Sequence, residues 1–559
     1  MALPSAMDAG WTRASRAAAF MRLARRWAPY AVLLVASGIL LATSPTDGDF
    51  SWSDAPRHAL NGAFVKDFVA SLPWRHPVAW AENYYLQYPA LSILFYPPLF
   101  YFFEAAVYAV FGVSHLASQA TVAAFYAFLG LGVYRLARLW LPRFTALGAA
   151  LMLMGAPEVA LWGRQVMLDI PAMAWLVWGV WACAKFMRAG RGADLAFGAA
   201  MLLAALYTKY DVVFIAPVVM LTLVAARGVG ILRDRRVLWA GLAAAIGALP
   251  AVYLALEFGM ANFQSVDDLA GELPRWSLAA WQFYPDLLPQ ILGWPVLALA
   301  LAGAGLLLAG RLPAFKSSGT GNWPAWLLLG WIALGYVFFS AIAVREPRHI
   351  LTVMPPFAIL AASVLDRLLS RRSAGLAACL IGICMLAWSV FECPVPVVTG
   401  YQELADYVAG HAPPNGVVLF SGYRDGNFIF DLRAREDRRD ISTLRADKLL
   451  LRVAIERRRG VGDNGYSEDE IKRMIRDLGV SLVVAQDGFW NDLAEMRRFE
   501  DVLANPDFIV VAHFPIGGTM GRIDKSFTVY RPAYPVESGK TDLGIDMPII
   551  GGKFQGQIR

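Results

Sequence analysis

FYPPLFYFFEAAVYAVFG, residues 95–112, decides how the rest of the chain is threaded. It is apolar enough to be read as a membrane span, yet it carries Glu104 and opens on Pro97 and Pro98. Around it lie apolar runs at about 29–44, 117–135, 143–158, 169–187, 193–208, 211–226, 237–257, 289–309, 324–343, 349–368 and 373–391, each long enough to cross a bilayer. Charge settles the ambiguity. Place the basic N-terminus (Arg13, Arg16, Arg22, Arg25, Arg26) in the cytoplasm and lay 95–112 along the membrane. The basic loops 135–143, 185–192, 226–236, 310–316 and 366–373 then all fall inside. If 95–112 crosses, every one of them moves outside. The sequence therefore predicts an interfacial helix at 95–112 and about eleven spans.

Composition agrees. Of 559 residues 57% are hydrophobic and the mean hydropathy is +0.47, which excludes an ordinary soluble domain. The net charge of +6 is accounted for by cytoplasmic loops and calls for no nucleic-acid partner. Cys183, Cys379, Cys384 and Cys393 lack metal-ligand spacing and read as structural thiols. The basic N-terminus before the run at 29–43 has no clear small-residue cleavage site and reads as a retained first helix.

The expected fold class is a polytopic α-helical membrane protein with a small C-terminal α/β domain on the outer side. Residues 1–28 read as a cytoplasmic segment, 29–392 as the transmembrane module with its first outer loop at 45–116, and 393–559 as the soluble outer domain. That last part contains strand-like VVLFS (417–421), SLVVAQ (481–486) and FIVVAHF (508–514), with helical stretches near 400–410 and 467–478. DLRAREDRRD (431–440) reads as a solvated surface turn. The last twenty or so residues read as an extended or frayed tail.

On this topology the outer loops collect Asp54, Arg164, Asp169, Lys209, Asp211, Arg345, Glu346 and Arg348 on one side; a further outer loop spans about 258–288. Polar loops meet water in any protein, but ionisable groups at membrane depth point to function. Asp54, in SDAPRHALNG (53–62), is either the N-cap of a following helix or a general base toward an acceptor hydroxyl. Asp169, in MLDIPAMAW (167–175), opens a helix and is either a cap or a second carboxylate converging on Asp54, as a metal ligand or an orienting acid. Lys209, in YTKYDVVF (207–214), either snorkels to the interface or binds a phosphate. Arg345 and Arg348, in VREPRHIL (344–351), suit bidentate phosphate binding.

These motifs, in order, resemble the GT-C class of membrane glycosyltransferases, in its branch of protein O-mannosyltransferases and lipid A aminoarabinose transferases. The matching pieces are Asp54 with Arg57 in SDAPRHALNG, YPPLFYF (96–102), MLDIPAMAW, TKYD (208–211) and RHILTVMPPFAIL (348–360), covering about residues 30–370. The resemblance implies a polyprenyl-phosphate sugar donor, a periplasm-facing acceptor (lipid, glycan or protein) and an inverting transfer assisted by Asp54. Together with the outer-face reading, this makes Asp54 and Asp169 the catalytic candidates, Lys209, Arg345 and Arg348 the donor-phosphate candidates, and Arg57, His58, Tyr96, Arg164 and His349 further site candidates. Some relatives bind a divalent metal, for which Asp54 and Asp169 are the candidate ligands. Two departures stand out: Ala55 replaces the acidic residue that usually follows the first aspartate, and Tyr96 replaces a His or Lys before the double proline. A lipid or glycan transporter and a catalytically degenerate family member are the competing readings. A transporter predicts repeat symmetry and broken mid-membrane helices, which the sequence does not display.

Overall fold

The computed structural model describes residues 13–93, 95–259, 273–315, 322–342, 344–453, 461–519, 525–536, 541–547 and 552–558. Residues 260–272 of the outer loop read at 258–288, and Lys316 of the loop 310–316, lie outside the described residues.

The helices of the apolar part, in chain order, are α1 (Arg13–Ala42), α2 (Ala55–Ser71), α3 (Pro77–Gln87), α4 (Leu99–Phe111), α5 (His115–Ala137), α6 (Arg143–Met154), α7 (Pro157–Gly163), α8 (Asp169–Ala189), α9 (Gly192–Leu206), α10 (Ile215–Arg227), α11 (Arg235–Leu254), α12 (Leu278–Leu292), α13 (Trp294–Leu308), α14 (Trp323–Ser340), α15 (Pro355–Leu368) and α16 (Arg371–Phe391). Among the described residues six stretches are long and apolar enough to cross a membrane, or eight when the bent pairs α6–α7 and α12–α13 each count as one. The bends reach 70° and 119°. The second occurs at Gly293, whose φ of +77° only glycine adopts at low cost. The sequence reading took 289–309 as one straight span. In the structure the chain instead turns sharply at Gly293, between α12 and α13.

α11 is apolar on every face and exposes Leu238, Trp239, Leu242, Ile246, Leu249 and Val252. A helix of that kind needs lipid around it. α4 has 13 residues, about 20 Å at 1.5 Å per residue, short of the ~30 Å hydrocarbon core. It packs along α2, with Glu104 and Tyr108 against Gly62. Its first residue is tied to the end of α9, the Leu99 amide donating to the Tyr207 carbonyl at 2.9 Å.

Beyond α16 a five-stranded mixed sheet forms. Its strands, after the short β1 (Val398–Thr399), are β2 (Val417–Ser421), β3 (Ser442–Arg445), β6 (Val480–Gln486), β7 (Phe508–Phe514) and β9 (Phe527–Pro532), with the small pairs β4 (Leu451–Val453) with β5 (Val461–Asp463) and β1 with β8 (Gly517–Gly518) set apart. The order is β3-β2-β6-β9-β7, with β2 parallel to both neighbours and β9 antiparallel to both of its own. β2 and β6 are buried on both faces, hence their unbroken apolar runs. Helices α17 (Tyr401–His411), α18 (Asp425–Ala434), α19 (Ala446–Leu450), α20 (Glu468–Asp477) and α21 (Ala494–Leu503) complete this part. α20 starts on a capping box between Ser467 and Glu470.

Two readings are corrected here. The tail is not wholly frayed: β10 (Thr541–Met547) and β11 (Gly552–Ile558) pair antiparallel. The run 431–440 is not a solvated turn. Arg433 is fully buried against Asp67 of α2, Arg439 reaches the same carboxylate at 2.8 Å, and Lys66 bonds Glu436 at 2.7 Å. A buried guanidinium needs a carboxylate. The first loop supplies it from more than 350 residues away, a distance over which sequence pattern carries no signal.

α6 and α16 meet through small residues. A Cβ on Gly382 would stand 2.5 Å from the Cβ of Leu151 and 2.8 Å from its carbonyl carbon. Gly382→Val should therefore cost about 1–3 kcal/mol through overpacking. Gly241→Val, where nothing lies within 4 Å, should cost far less. Unfolding midpoints in detergent compare the two, and equal values would show that the seam tolerates expansion.

His58 lies at the α2–α4 contact, buried, with its Nδ1 2.9 Å from the Tyr101 hydroxyl. Burial pushes its pKa from 6.5 down to about 4, against an upward pull from Asp54. The unfolded chain thus takes up this proton at a higher pH than the folded one. The stabilisation is complete above pH ~6.5 and lost as pH falls toward 4, by up to about 3 kcal/mol. His58→Gln removes the titration, so its unfolding midpoint should fall less across this window than that of the wild type. Parallel curves would rule the effect out.

Candidate active site

Asp54 occupies the N-cap position of α2, but its backbone is helical (φ −82°, ψ −25°) and its side chain makes no capping hydrogen bond. Pro56 at the second helical position helps start the helix without it. The carboxylate faces Arg348 instead, with Oδ2 to Nη2 at 3.4 Å. Asp169 is the first residue of α8 and likewise does not cap. Its Oδ1 takes a bond from Lys209 at 2.7 Å and its Oδ2 lies 3.9 Å from Arg348. Lys209 is also 2.8 Å from Asp211. These two carboxylates turn the ammonium inward, so Lys209 does not snorkel.

Arg348 is the hub. It donates from Nε to Glu346 at 2.5 Å, and its guanidinium carbon lies 5.4 Å from the ring centroids of both Trp52 and Trp162. The two indoles meet edge to face at 5.2 Å, and the cation lies against both. Its side chain is only 12% exposed. Burial pulls its pKa down, but Asp169, Glu346 and Asp54 more than offset this, so it stays charged. Tyr96 lies close by, its ring 4.7 Å from that of His58. The Asp54 charge first, and burial second, push its phenol up. His349 donates from Nδ1 to the Val344 carbonyl at 3.3 Å and sits 3.8 Å from Glu346.

The structure thus brings together Asp54, Asp169, Lys209, Arg348, His349, His58 and Tyr96. Three other candidates are engaged elsewhere. Arg345 donates to the carbonyls of Ser340, Leu273 and Arg275. Arg164 donates to those of Ser389 and Cys393 at the end of α16. Arg57 reaches the first residue of α18, bonding Asp425 at 3.0 Å. Sequence reasoning left out the indole pair and the parts played by Glu346 and Asp211. Trp52, two residues before Asp54, was the available signal. Ser51 adds a further tie, donating to Gln165 at 3.2 Å and linking the Asp54 loop to the turn before α8.

A divalent metal does not fit these side chains as they stand. Asp54 and Asp169 share a guanidinium and do not face one another across a gap. Among the described residues no group of three or more His, Cys, Asp or Glu converges on one point. Hard divalent cations need several oxygen ligands.

A family model described as dolichyl-phosphate-mannose-protein mannosyltransferase matches residues 96–254. No curated protein matches the chain. Among solved structures, ArnT from Cupriavidus metallidurans bound to undecaprenyl phosphate superposes with a TM-score of 0.60 at 16% identity, over 90% of this chain and 98% of that one. AglB, the archaeal oligosaccharyltransferase from Archaeoglobus fulgidus, in complex with an inhibitory peptide and a dolichol-phosphate, gives 0.52 at 13% identity, over 91% and 77%. With the mannosyltransferase match, these likenesses put the chain in the GT-C fold class of membrane glycosyltransferases.

Proposed function

We propose that the chain transfers a sugar from a polyprenyl phosphate to an acceptor at the outer face of the cell's inner membrane, inverting the anomeric carbon. The acceptor is a lipid, glycan or protein. The observation that carries this reading is the junction of Asp54 with Arg348, Asp169 and Lys209 at one helix mouth. A lipid-linked donor is supported by the undecaprenyl phosphate and dolichol-phosphate in the ArnT and AglB structures. On this reading residues 1–28 are cytoplasmic, 29–392 hold the site, and 393–559 lie in the periplasm.

The acceptor oxygen bonds to the anomeric carbon as the bond from that carbon to the phosphate oxygen breaks. Asp54 takes the acceptor proton. The phosphate leaves with the bonding electrons and is held by Arg348 and Lys209, while Asp169 aims both cations. Arg345, which donates to the carbonyls of Ser340, Leu273 and Arg275, is not assigned to the phosphate in this reading.

Asp54→Asn keeps the size and removes the basicity. Because the side chain caps nothing, the variant should fold normally and lose at least ~10² in turnover, the usual range for a general base. The assay follows release of polyprenyl phosphate from lipid-linked sugars extracted from the native membrane. Turnover near wild type would leave the reaction without its base.

Arg348→Ala should weaken binding of the same donor by roughly 2–4 kcal/mol, as for truncation of a buried charge pair. Unchanged affinity would reduce Arg348 to an internal ion pair.

A further inference from the structure

The back of the Asp54 loop is held by a segment far away in sequence. Arg57 stands one turn beyond Asp54 on α2. Its Nη2 donates to both carboxylate oxygens of Asp425, at 3.0 and 3.1 Å, and its Nη1 to the Ala90 carbonyl at 3.3 Å. Asp425 is buried and opens α18. Its second oxygen also takes a bond from Arg445 at 2.7 Å, and Arg445 is fixed in turn by Asp447 at 2.6 Å.

The neighbours of Asp425 grip the same loop. Arg424 donates to the Ser51 carbonyl at 2.5 Å and Asn427 to that of Phe50 at 3.0 Å. Gly426 lies so close that a Cβ there would stand 2.9 Å from Pro56 Cγ. Four consecutive residues of the C-terminal part therefore touch the chain on both sides of Asp54. The Asp54 carboxylate points the other way, to Arg348.

We propose that Asp425 is a positioning residue for Asp54, acting through Arg57: the Arg57–Asp425–Arg445 bridge sets where the head of α2 presents its carboxylate. The inference rests on the transfer reading for its catalytic consequence and on geometry alone for its structural one. Asp425 places its carboxylate between the guanidinium groups of Arg57 and Arg445. Burial works against its ionisation, but Arg445 and then Arg57 hold its carboxyl below the ordinary value. Neutralising it leaves two cations facing each other, and the pair must part. The head of α2 then loses its rear support while the front contact to Arg348, at 3.4 Å, is too long to replace it.

Asp425→Asn and Asp425→Glu in the full-length protein test this. The Asn variant should lose about 10- to 100-fold in kcat, the cost of a displacement near 1 Å at a reacting group. Its KM for native-membrane polyprenyl-phosphate sugars should stay within about twofold, because Lys209 and Arg348 are untouched. The Glu variant, which keeps the charge, should recover most of the rate. Hydrogen–deuterium exchange of peptides covering 50–62 should quicken in the Asn variant while the strand 417–421 stays protected. A wild-type kcat with unchanged exchange at 50–62 overturns the proposal. So does a loss of rate matched by a lowered unfolding midpoint and faster exchange throughout the sheet, which would make Asp425 a general support. The exchange measurement needs no sugar transfer. It therefore decides the positioning claim even where Asp54→Asn proves active and the transfer reading falls.

Discussion

A guanidinium taken out of water must find negative charge, and Arg348 finds it in three different parts of the chain. Its side chain is almost buried against Trp52 and Trp162, and its partners are Asp54 from the first loop, Asp169 at the head of α8 and Glu346 from its own loop. Removing such a cation from water costs several kcal/mol, and that cost is met only when the partners are held in place. The loop after α1, the turn before α8 and the loop before α15 are therefore bound into one constraint. Lys209 extends it to the turn after α9 through the same Asp169. The mouth of the helical bundle is held by charge, while its body is held by apolar packing.

The first loop satisfies a second constraint at the same time. Asp49 pairs with Val398 and takes the Tyr401 amide at 2.9 Å, Arg57 meets Asp425, and Asp67 meets Arg433 and Arg439. Along this stretch, side chains that turn toward the bundle alternate with side chains that turn toward the sheet. α2 is thus a wedge between the two parts. The backbone at its head is braced from the C-terminal part through Arg57, Arg424 and Asn427, while its carboxylate meets Arg348 at 3.4 Å.

Most of the helices were legible because lipid and water impose simple patterns, but 143–158 and 289–309 each hold a bent pair of helices and α1 begins well before residue 29. The three strands proposed from apolar runs are β2, β6 and β7. β3 was missed because STLR is short and ends on a charge, and β9 because FTVYRP mixes aromatic, polar and proline residues. The sharp bend at Gly293 was hidden because an apolar run reads the same whether straight or folded back. In the site, charge on one face singled out Asp54, Asp169, Lys209 and Arg348. It could not separate Arg348, which meets carboxylates, from Arg345 of the same motif, which donates to the carbonyls of Ser340, Leu273 and Arg275. Nor could it reveal that Arg57 and the charged run 431–440 face each other's part of the molecule. Those partners are chosen by tertiary packing alone.

The charges at the mouth do not balance, and this bears on how a donor would enter. Arg348 and Lys209 face Asp54, Asp169, Asp211 and Glu346. A phosphate adds further negative charge, so it can enter only by taking over contacts that are already weak. The contact of Arg348 with Asp54 at 3.4 Å is long for a charged hydrogen bond, whereas those of Lys209 with Asp169 and Arg348 with Glu346 are short. Asp54 is also more exposed than Asp169, so water can solvate it once released. On the transfer reading, the phosphate displaces Asp54 from Arg348 and leaves Asp169 where it is. One event then seats the leaving group on its cation and frees the carboxylate that must take the acceptor proton. On that same reading Arg348 engages the base until a donor is present, and the long 3.4 Å pair is what allows the exchange.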